Sequence, residues 1–507
     1  MDKKDHDTAK AHPIKNIDRL PFTIVAAMLG VAIVVAMRAW AISFPTLHFD
    51  HVIPLEVIKG MRLRDDFNTD WALAELPSHF KYAQLNFSSY LIAGRLWSGV
   101  LERIGINPSD TIEQLRLFSA LCSVLVTCLL AAVSTKLGGR IAGVAAFLLA
   151  AILPILVQDA IYARPETFLA LLTTIFVALL VLRSPDATLA AAFVFGVMLA
   201  CKISSALLGP ALALALLLGD EKTKILGPAL IRRGVLSVTL AIAGFALGAP
   251  QALVDPAAFF GGIKALSAQY TSLHPPHGVI DPNPVKSFLW SSAYMLSTWG
   301  PGVILVSAFG LYSVFRRDPR TGAILSLVVV PTFLLFMVTA VFFERNLSHV
   351  TPALCIAFGL GVARLVALRP LVGSAVAVCS LLLPGILTTV LLVDVIPGNA
   401  KARVESDLAK LEARCNSKSR FVLPLSRDGF DDAVRELRAS GQAGLIHTPI
   451  WRGDWDDRYF AALGELPDIK PVTLIRHPLD SLPTSTLQVY LGSGDRVFWY
   501  GDGDCRP

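Results

Sequence analysis

Apolar residues in this chain run in long unbroken stretches separated by short polar connections, a pattern that repeats from residue 22 to about residue 395. With about 20 residues as the length of helix that crosses a bilayer, and shorter runs allowed in tight hairpins, these stretches predict about eleven spans. Their limits fall near 22–44, 114–134, 140–157, 167–182, 188–201, 204–219, 234–254, 290–315, 322–342, 349–366 and 371–395. After Pro397 the pattern turns polar. A helical spacing near 401–414 and alternating apolar residues at Arg420–Pro424 and Thr484–Leu491 predict a small α/β domain there. The expected organisation is therefore an α-helical polytopic membrane domain over 1–397 and a C-terminal α/β domain over 398–507.

Composition excludes a soluble globular protein, since 54% of the residues are hydrophobic and only 17% charged. The first apolar run, Pro21–Phe44, lacks a small-residue cleavage site and is expected to remain as an anchor. A net charge of +6 calls for no nucleic-acid partner, because the basic residues sit in alternate short connections. Lys3, Lys4, Lys10, Lys15 and Arg19 fall on the same side as Lys136, Arg140, Arg183, Lys222, Arg232, Arg316, Arg320 and Arg364. The excess of lysine and arginine in cytoplasmic connections makes that side, and the N-terminus, cytoplasmic. The remaining loops and the C-terminal domain then face outward.

That outer side holds the chemistry. Asp50, in His48-Phe49-Asp50-His51, stands where the first run ends, a place where a carboxylate meets both water-soluble and lipid-linked molecules. It is the candidate base. Val52–Arg62 has the spacing of an amphipathic helix lying on the bilayer surface; Asp65 and Asp70 are read as solvated loop residues. In Gln158–Glu166, Asp159, Arg164 and Glu166 crowd a short turn, with Pro165 suited to a helix start and Glu166 able to favour that start through its charge. Lys202 lies between two apolar runs, where it either snorkels to the interface or serves a function. An ionisable residue at membrane depth costs roughly 2.5–3.5 kcal/mol, which gives weight to the second reading, and the same reasoning covers Glu344, Arg345 and His349.

Of seven cysteines, Cys122, Cys128, Cys201, Cys355 and Cys379 belong to apolar runs and behave as small apolar residues. Cys415 and Cys505 lie in the outer tail and form a disulfide candidate if that compartment is oxidising, with two free thiols as the alternative. The groupings His48/Asp50/His51 and His274/His277 invite a metal reading, which is set aside because loop histidines beside prolines more often face solvent. No phosphate-binding glycine loop, nucleophile elbow or zinc-protease helix is present.

These positions, in this order, resemble the GT-C superfamily of membrane glycosyltransferases, in the branch of the protein O-mannosyltransferases, the lipid A aminoarabinose transferases and the transferases that decorate lipopolysaccharide. Phe49-Asp50-His51 occupies the place of the acidic motif after the first span. Asp66-Phe67-Asn68 and Phe80-Lys81-Tyr82-Ala83-Gln84 through Ser89-Tyr90-Leu91 resemble the stretch before the second span. Ala163-Arg164-Pro165-Glu166 resembles the second acidic motif, Gly196 to Lys202 the glycine-to-lysine hairpin, Gly248-Ala249-Pro250 the end of a later span, and Phe343-Glu344-Arg345-Asn346 through Pro352 an Arg-Tyr-x-x-Pro-type segment. His51 stands where many members have glutamate and Glu166 where aspartate is commoner. A divalent cation is thereby left open and disfavoured, and no other cofactor is called for.

What the resemblance implies is transfer of a sugar from a polyprenyl phosphate to an acceptor hydroxyl, with inversion, at the outer face of a bacterial inner membrane. Asp50 would take the hydroxyl proton. Lys202 and Arg345, then Arg164 and His349, would hold the donor phosphate as it gains charge. Glu166 and Asp159, with Tyr82 and Gln84, would position sugar or acceptor. The acceptor expected first is lipid A or lipopolysaccharide, with polysaccharide or protein as other options. A flippase or transporter of lipid-linked sugars is the rival reading, but it needs polar groups spread through the spans and commonly two related halves, neither of which the sequence displays.

Overall fold

Proline and glycine punctuate this chain, and many of its helices begin or end at one of them. The computed structural model describes residues 20–44, 83–106, 111–218, 227–271, 283–339 and 344–398, with short pieces at 61–63 and 69–71 and, beyond 398, the strands given below and a few helical residues. In order come α1 (Leu20–Ile42), α2 (Ala83–Arg103), α3 (Thr111–Ile152), α4 (Pro154–Ile161), α5 (Glu166–Val181) and α6 (Pro185–Cys201). A 3-10 turn, Ile203–Leu208, leads into α7 (Gly209–Leu217), α8 (Pro228–Gly248), α9 (Pro256–Thr271), α10 (Pro284–Thr298), α11 (Pro301–Arg317) and α12 (Pro319–Val338). A second 3-10 turn, Glu344–His349, precedes α13 (Thr351–Leu368) and α14 (Pro370–Val390). Proline opens many of these helices because the first helical N–H has no intrahelical partner to lose.

The predicted runs map onto these helices, with three differences. The stretch 140–157 belongs to two helices, and 114–134 joins its first part in α3, which is interrupted at Gly139 (φ 80°, ψ −177°). A side chain on Gly143 would run into Thr135 and the Ala131 carbonyl, so the two limbs of α3 fold back on each other. The single span expected over 290–315 is two helices bent by 107°, hinged where Gly300 (φ 86°) precedes Pro301. Finally, α2 and α9 form inside what reads as outer loop. The first was hidden because Arg95, Glu102 and Arg103 lower its apolar content. Among the described residues, Glu113–Ile152, Pro228–Gly248, Pro319–Val338, Thr351–Leu368 and Pro370–Val393 are long and apolar enough to cross a membrane. Ala27–Ile42, Glu166–Val181, Pro185–Cys201 and Ile203–Leu217 are shorter apolar helices.

Close helix contacts rest on small residues. A Cβ on Gly196 of α6 would strike the Ala241 carbonyl of α8, and one on Gly310 of α11 would strike the Ala357 carbonyl of α13. In lipid, where no hydrophobic force drives helices together, such backbone approach supplies the packing. Outward faces carry exposed Met28, Leu29, Ile231, Leu305 and Leu371, as a lipid-facing surface requires.

Strand β1 (Met61–Leu63) pairs antiparallel with β2 (Thr69–Trp71). The helix expected over Val52–Arg62 thus lies outside the described residues except at its end, where Met61 and Arg62 are in a strand. In the tail, β3 (Ser419–Phe421), β4 (Gly444–Thr448), β5 (Ile469–Thr473) and β6 (Arg496–Tyr500) form one sheet in the order β3-β4-β6-β5, with β3 and β4 parallel and the other pairs antiparallel. Strand β3 overlaps the alternation predicted at 420–424; Thr484–Leu491, Cys415 and Cys505 lie outside the described residues.

Candidate active site

Two chain breaks frame a short buried helix and the turn that follows it. Pro154 cannot donate to the ladder and forces Leu153 to an extended conformation (φ −72°, ψ 118°), so α3 stops and its last carbonyls lose their partners. Side chains from other helices recover them: Arg38 Nη2 donates to the Ala151 carbonyl at 3.3 Å and Thr388 Oγ1 to that of Ile152 at 2.6 Å. At the far end α4 is closed by extended Tyr162, and Arg116 Nε donates to the Ile161 carbonyl at 2.7 Å. The turn is held further by Ser119 Oγ donating to the Arg164 carbonyl at 3.3 Å. All eight residues of α4 are buried, Asp159 among them.

The turn delivers a charge cluster. Glu166, at the first position of α5, is 4% exposed and lies between two cations: Arg164 Nε at 3.4 Å from Oε2 and Lys202 Nζ at 3.6 Å from Oε1. Lys202 ends α6 in an extended conformation (φ −155°, ψ 121°), which turns its side chain away from the helix. Its ammonium also donates to Asn346 Oδ1 at 3.2 Å and reaches the Arg345 carbonyl at 3.5 Å. His349, 1% exposed, shares a hydrogen bond of 2.9 Å between Nε2 and Ser204 Oγ, while its Nδ1 is buried without a hydrogen-bond partner among the described residues. Three separate chain segments thus meet at one end of the helices: 159–166, 202–204 and 345–349.

Burial governs the electrostatics of this cluster. It pulls the Lys202 ammonium below the usual lysine range, with Glu166 opposing, Arg345 and Arg164 adding, and Asp159 opposing again. Burial, then the neighbouring Lys202, pushes His349 down to about 3, so it stands as a neutral imidazole that hydrogen-bonds without carrying charge. Beneath the cluster Tyr90 is fully buried, bonded to Ser119 Oγ at 2.9 Å and the Leu115 carbonyl at 3.2 Å, and packed with Phe118 and Phe168. It supports the site from below.

The structure therefore brings together Arg164, Glu166, Lys202, Arg345 and His349, with Asp159 buried on the adjoining helix. Asp50 and Tyr82 lie outside the described residues, and Gln84 is placed only by its backbone, in the first turn of α2. Sequence reasoning missed Asn346, Ser204 and Arg116. Arg116 had a readable signal, a charge at the edge of an apolar run; Asn346 and Ser204 are ordinary polar residues that only tertiary packing reveals. Among the described residues no group of three or more His, Cys, Asp or Glu is placed to hold a metal ion.

The helical fold that carries this cluster is similar to that of known proteins. Residues 106–247, which include Arg164, Glu166 and Lys202, match a family model described as dolichyl-phosphate-mannose-protein mannosyltransferase. The structure superposes on ArnT from Cupriavidus metallidurans bound to undecaprenyl phosphate with a TM-score of 0.52 and 13% identity, covering 94% of this chain and 98% of that one. The apo form of the same protein gives a TM-score of 0.51, again at 13% identity and covering 94% and 98% of the two chains. Curated protein sequences give no match. The family match thus covers one segment of the chain, and the likeness to ArnT extends the shared fold over nearly its whole length.

Proposed function

We propose that this protein is an inverting glycosyltransferase that moves a sugar from a polyprenyl-phosphate donor to an acceptor hydroxyl. The observation that carries the reading is the Arg164–Glu166–Lys202 cluster: two buried cations share one carboxylate, with Arg345 and Asn346 adjoining. Burying charges costs several kcal/mol each, so a buried ionic cluster of this kind is weakly motivated by stability. It is well suited to an anion that arrives and gains charge during reaction. When the glycosidic bond breaks, the electron pair stays on the phosphate oxygen, and preorganised cations stabilise it where water is scarce. Lys202 and Arg345 take that role, Arg164 assists, and neutral His349 offers a hydrogen bond. Glu166 holds Arg164 and Lys202 apart and in place. Asp50 is assigned as the base that removes the acceptor proton, with Asp159, Tyr82 and Gln84 near sugar or acceptor.

In this reading 1–397 is the catalytic membrane domain, 398–507 a separate domain on the same outer side, and lipid A or lipopolysaccharide the acceptor tested first. Purified protein, Lys202→Met and Asp50→Asn would be incubated with labelled polyprenyl-phosphate pentose, hexose or uronic acid and candidate acceptors. Label is expected in the acceptor with wild type and lost by at least about 100-fold in both variants. Translocation of the lipid in vesicles without transfer would replace this reading by a flippase.

A further inference from the structure

We propose that Arg116 is a positioning residue for the transfer, joining the segment that carries Asp50 to the turn that carries Arg164 and Glu166; the proposal rests on the functional reading above. Arg116 sits in the second turn of α3 and is 6% exposed. Its guanidinium is divided between two backbones. Nε donates to the Ile161 carbonyl at 2.7 Å, and Nη2 donates to the Phe44 carbonyl at 2.8 Å.

Both acceptors are helix ends. Ile161 is the last residue of α4, and Phe44 follows the final turn of α1, where the Ser43 N–H bonds back to Ala39 and Trp40. Carbonyls at such ends lack intrahelical donors, so each needs an outside partner. One planar guanidinium meets both and fixes their separation through its rigid fork, which a lysine ammonium on a flexible stem does not reproduce.

The two contacts bear on opposite halves of the reaction. Asp50 is six residues beyond Phe44, a tether of at most about 22 Å at 3.3–3.6 Å per residue. Arg164 is three residues beyond Ile161, and Ser119, one turn along α3 from Arg116, bonds its carbonyl. The same face of α3 therefore holds Phe44, six residues before the proposed base, and the turn of the proposed phosphate-binding cations. Through these two backbone contacts Arg116 acts on the segments it joins.

The test uses full-length protein in lipid nanodiscs, with Arg116→Lys and Arg116→Gln. Misplacement of reacting groups by about 1 Å costs on the order of 100-fold in rate. We expect kcat to fall about 10- to 100-fold in both variants, with donor KM within about threefold, and no rescue by lysine. On the Asp50→Asn background the further loss should nearly vanish, because the effect runs through that base. A wild-type kcat in Arg116→Lys, or losses that multiply with Asp50→Asn, overturns the proposal. Hydrogen exchange without substrate gives an arm independent of activity: amides in 38–46 and 158–166 should exchange faster in both variants while α13 is unchanged. No change in either segment also overturns it. Absence of transfer by the wild type with every donor would remove the functional reading, and with it the positioning role of Arg116 in transfer, while the exchange arm still decides the coupling.

Discussion

Helix α5 carries an arginine–carboxylate pair at each end, and the two could hardly be more different. At its start Arg164 and Glu166 are 3% and 4% exposed and share their space with Lys202. Just past its end, about 24 Å away for sixteen residues at 1.5 Å rise, Arg183 pairs with Asp318, the two being 50% and 29% exposed. Asp318 also caps α12, accepting from the Thr321 N–H at 3.3 Å and from Thr321 Oγ1 at 2.6 Å. The exposed pair is ordinary fold maintenance: solvent screens it, and the cap carries more of its stability than the charge does. The buried cluster is held in place by three chain segments and, in the function proposed above, supplies its charges to the donor phosphate. Equal residue types at two ends of one helix thus serve different ends, decided by water.

The contrast can be broken in order of effect. Glu166→Gln removes the carboxylate between Arg164 and Lys202 and should cost about 3–5 kcal/mol, the range for breaking a buried ion pair, read as a lowered unfolding midpoint in detergent together with loss of transfer. A stable, active Glu166→Gln protein would make the two ends alike. Lys202→Arg should keep transfer measurable and move its alkaline limb to higher pH. The lysine, lowered by burial, loses its charge below the usual lysine range as pH rises, whereas arginine keeps it. An unmoved limb in the pH–rate profile would take Lys202 out of phosphate binding. Asp318→Ala should cost about 1 kcal/mol through loss of the cap, with transfer unchanged. Arg183→Ala should be smallest, within about 0.5 kcal/mol in chemical denaturation.

A further sign separates the Asp318 contribution. Burial raises its carboxyl, but Thr321 and then Arg183 outweigh this and hold it below the usual aspartate range. Its share of stability is therefore complete above the ordinary aspartate pKa and lost as pH falls through the lowered one.

Much of this was legible in the chain because hydropathy and proline both act locally. The stretches 167–182 and 188–201 match Glu166–Val181 and Pro185–Cys201 within a few residues, and Arg164, Glu166, Lys202, Arg345 and His349 stood out as charges or a histidine beside apolar runs. What stayed hidden is non-local or amphipathic. Helix Ala83–Arg103 carries enough charge to read as loop, and the bend at Gly300 depends on a positive φ that sequence spacing does not register. His349 read as a cation, but its burial beside Lys202 makes it neutral. Arg38 and Arg116 were passed over because their value lies in carbonyls freed 113 and 45 residues away.

The contact at Gly196 has a consequence for how this pocket tolerates change. Lys202 leaves α6 six residues after Gly196, which rests against the backbone of α8 with no room for a methyl group. One added carbon there would wedge the two helices apart like a shim under a lever, and the ammonium at the lever's tip would swing away from its partners. Heritable loss of activity in this protein should therefore arise at a residue with no side chain of its own.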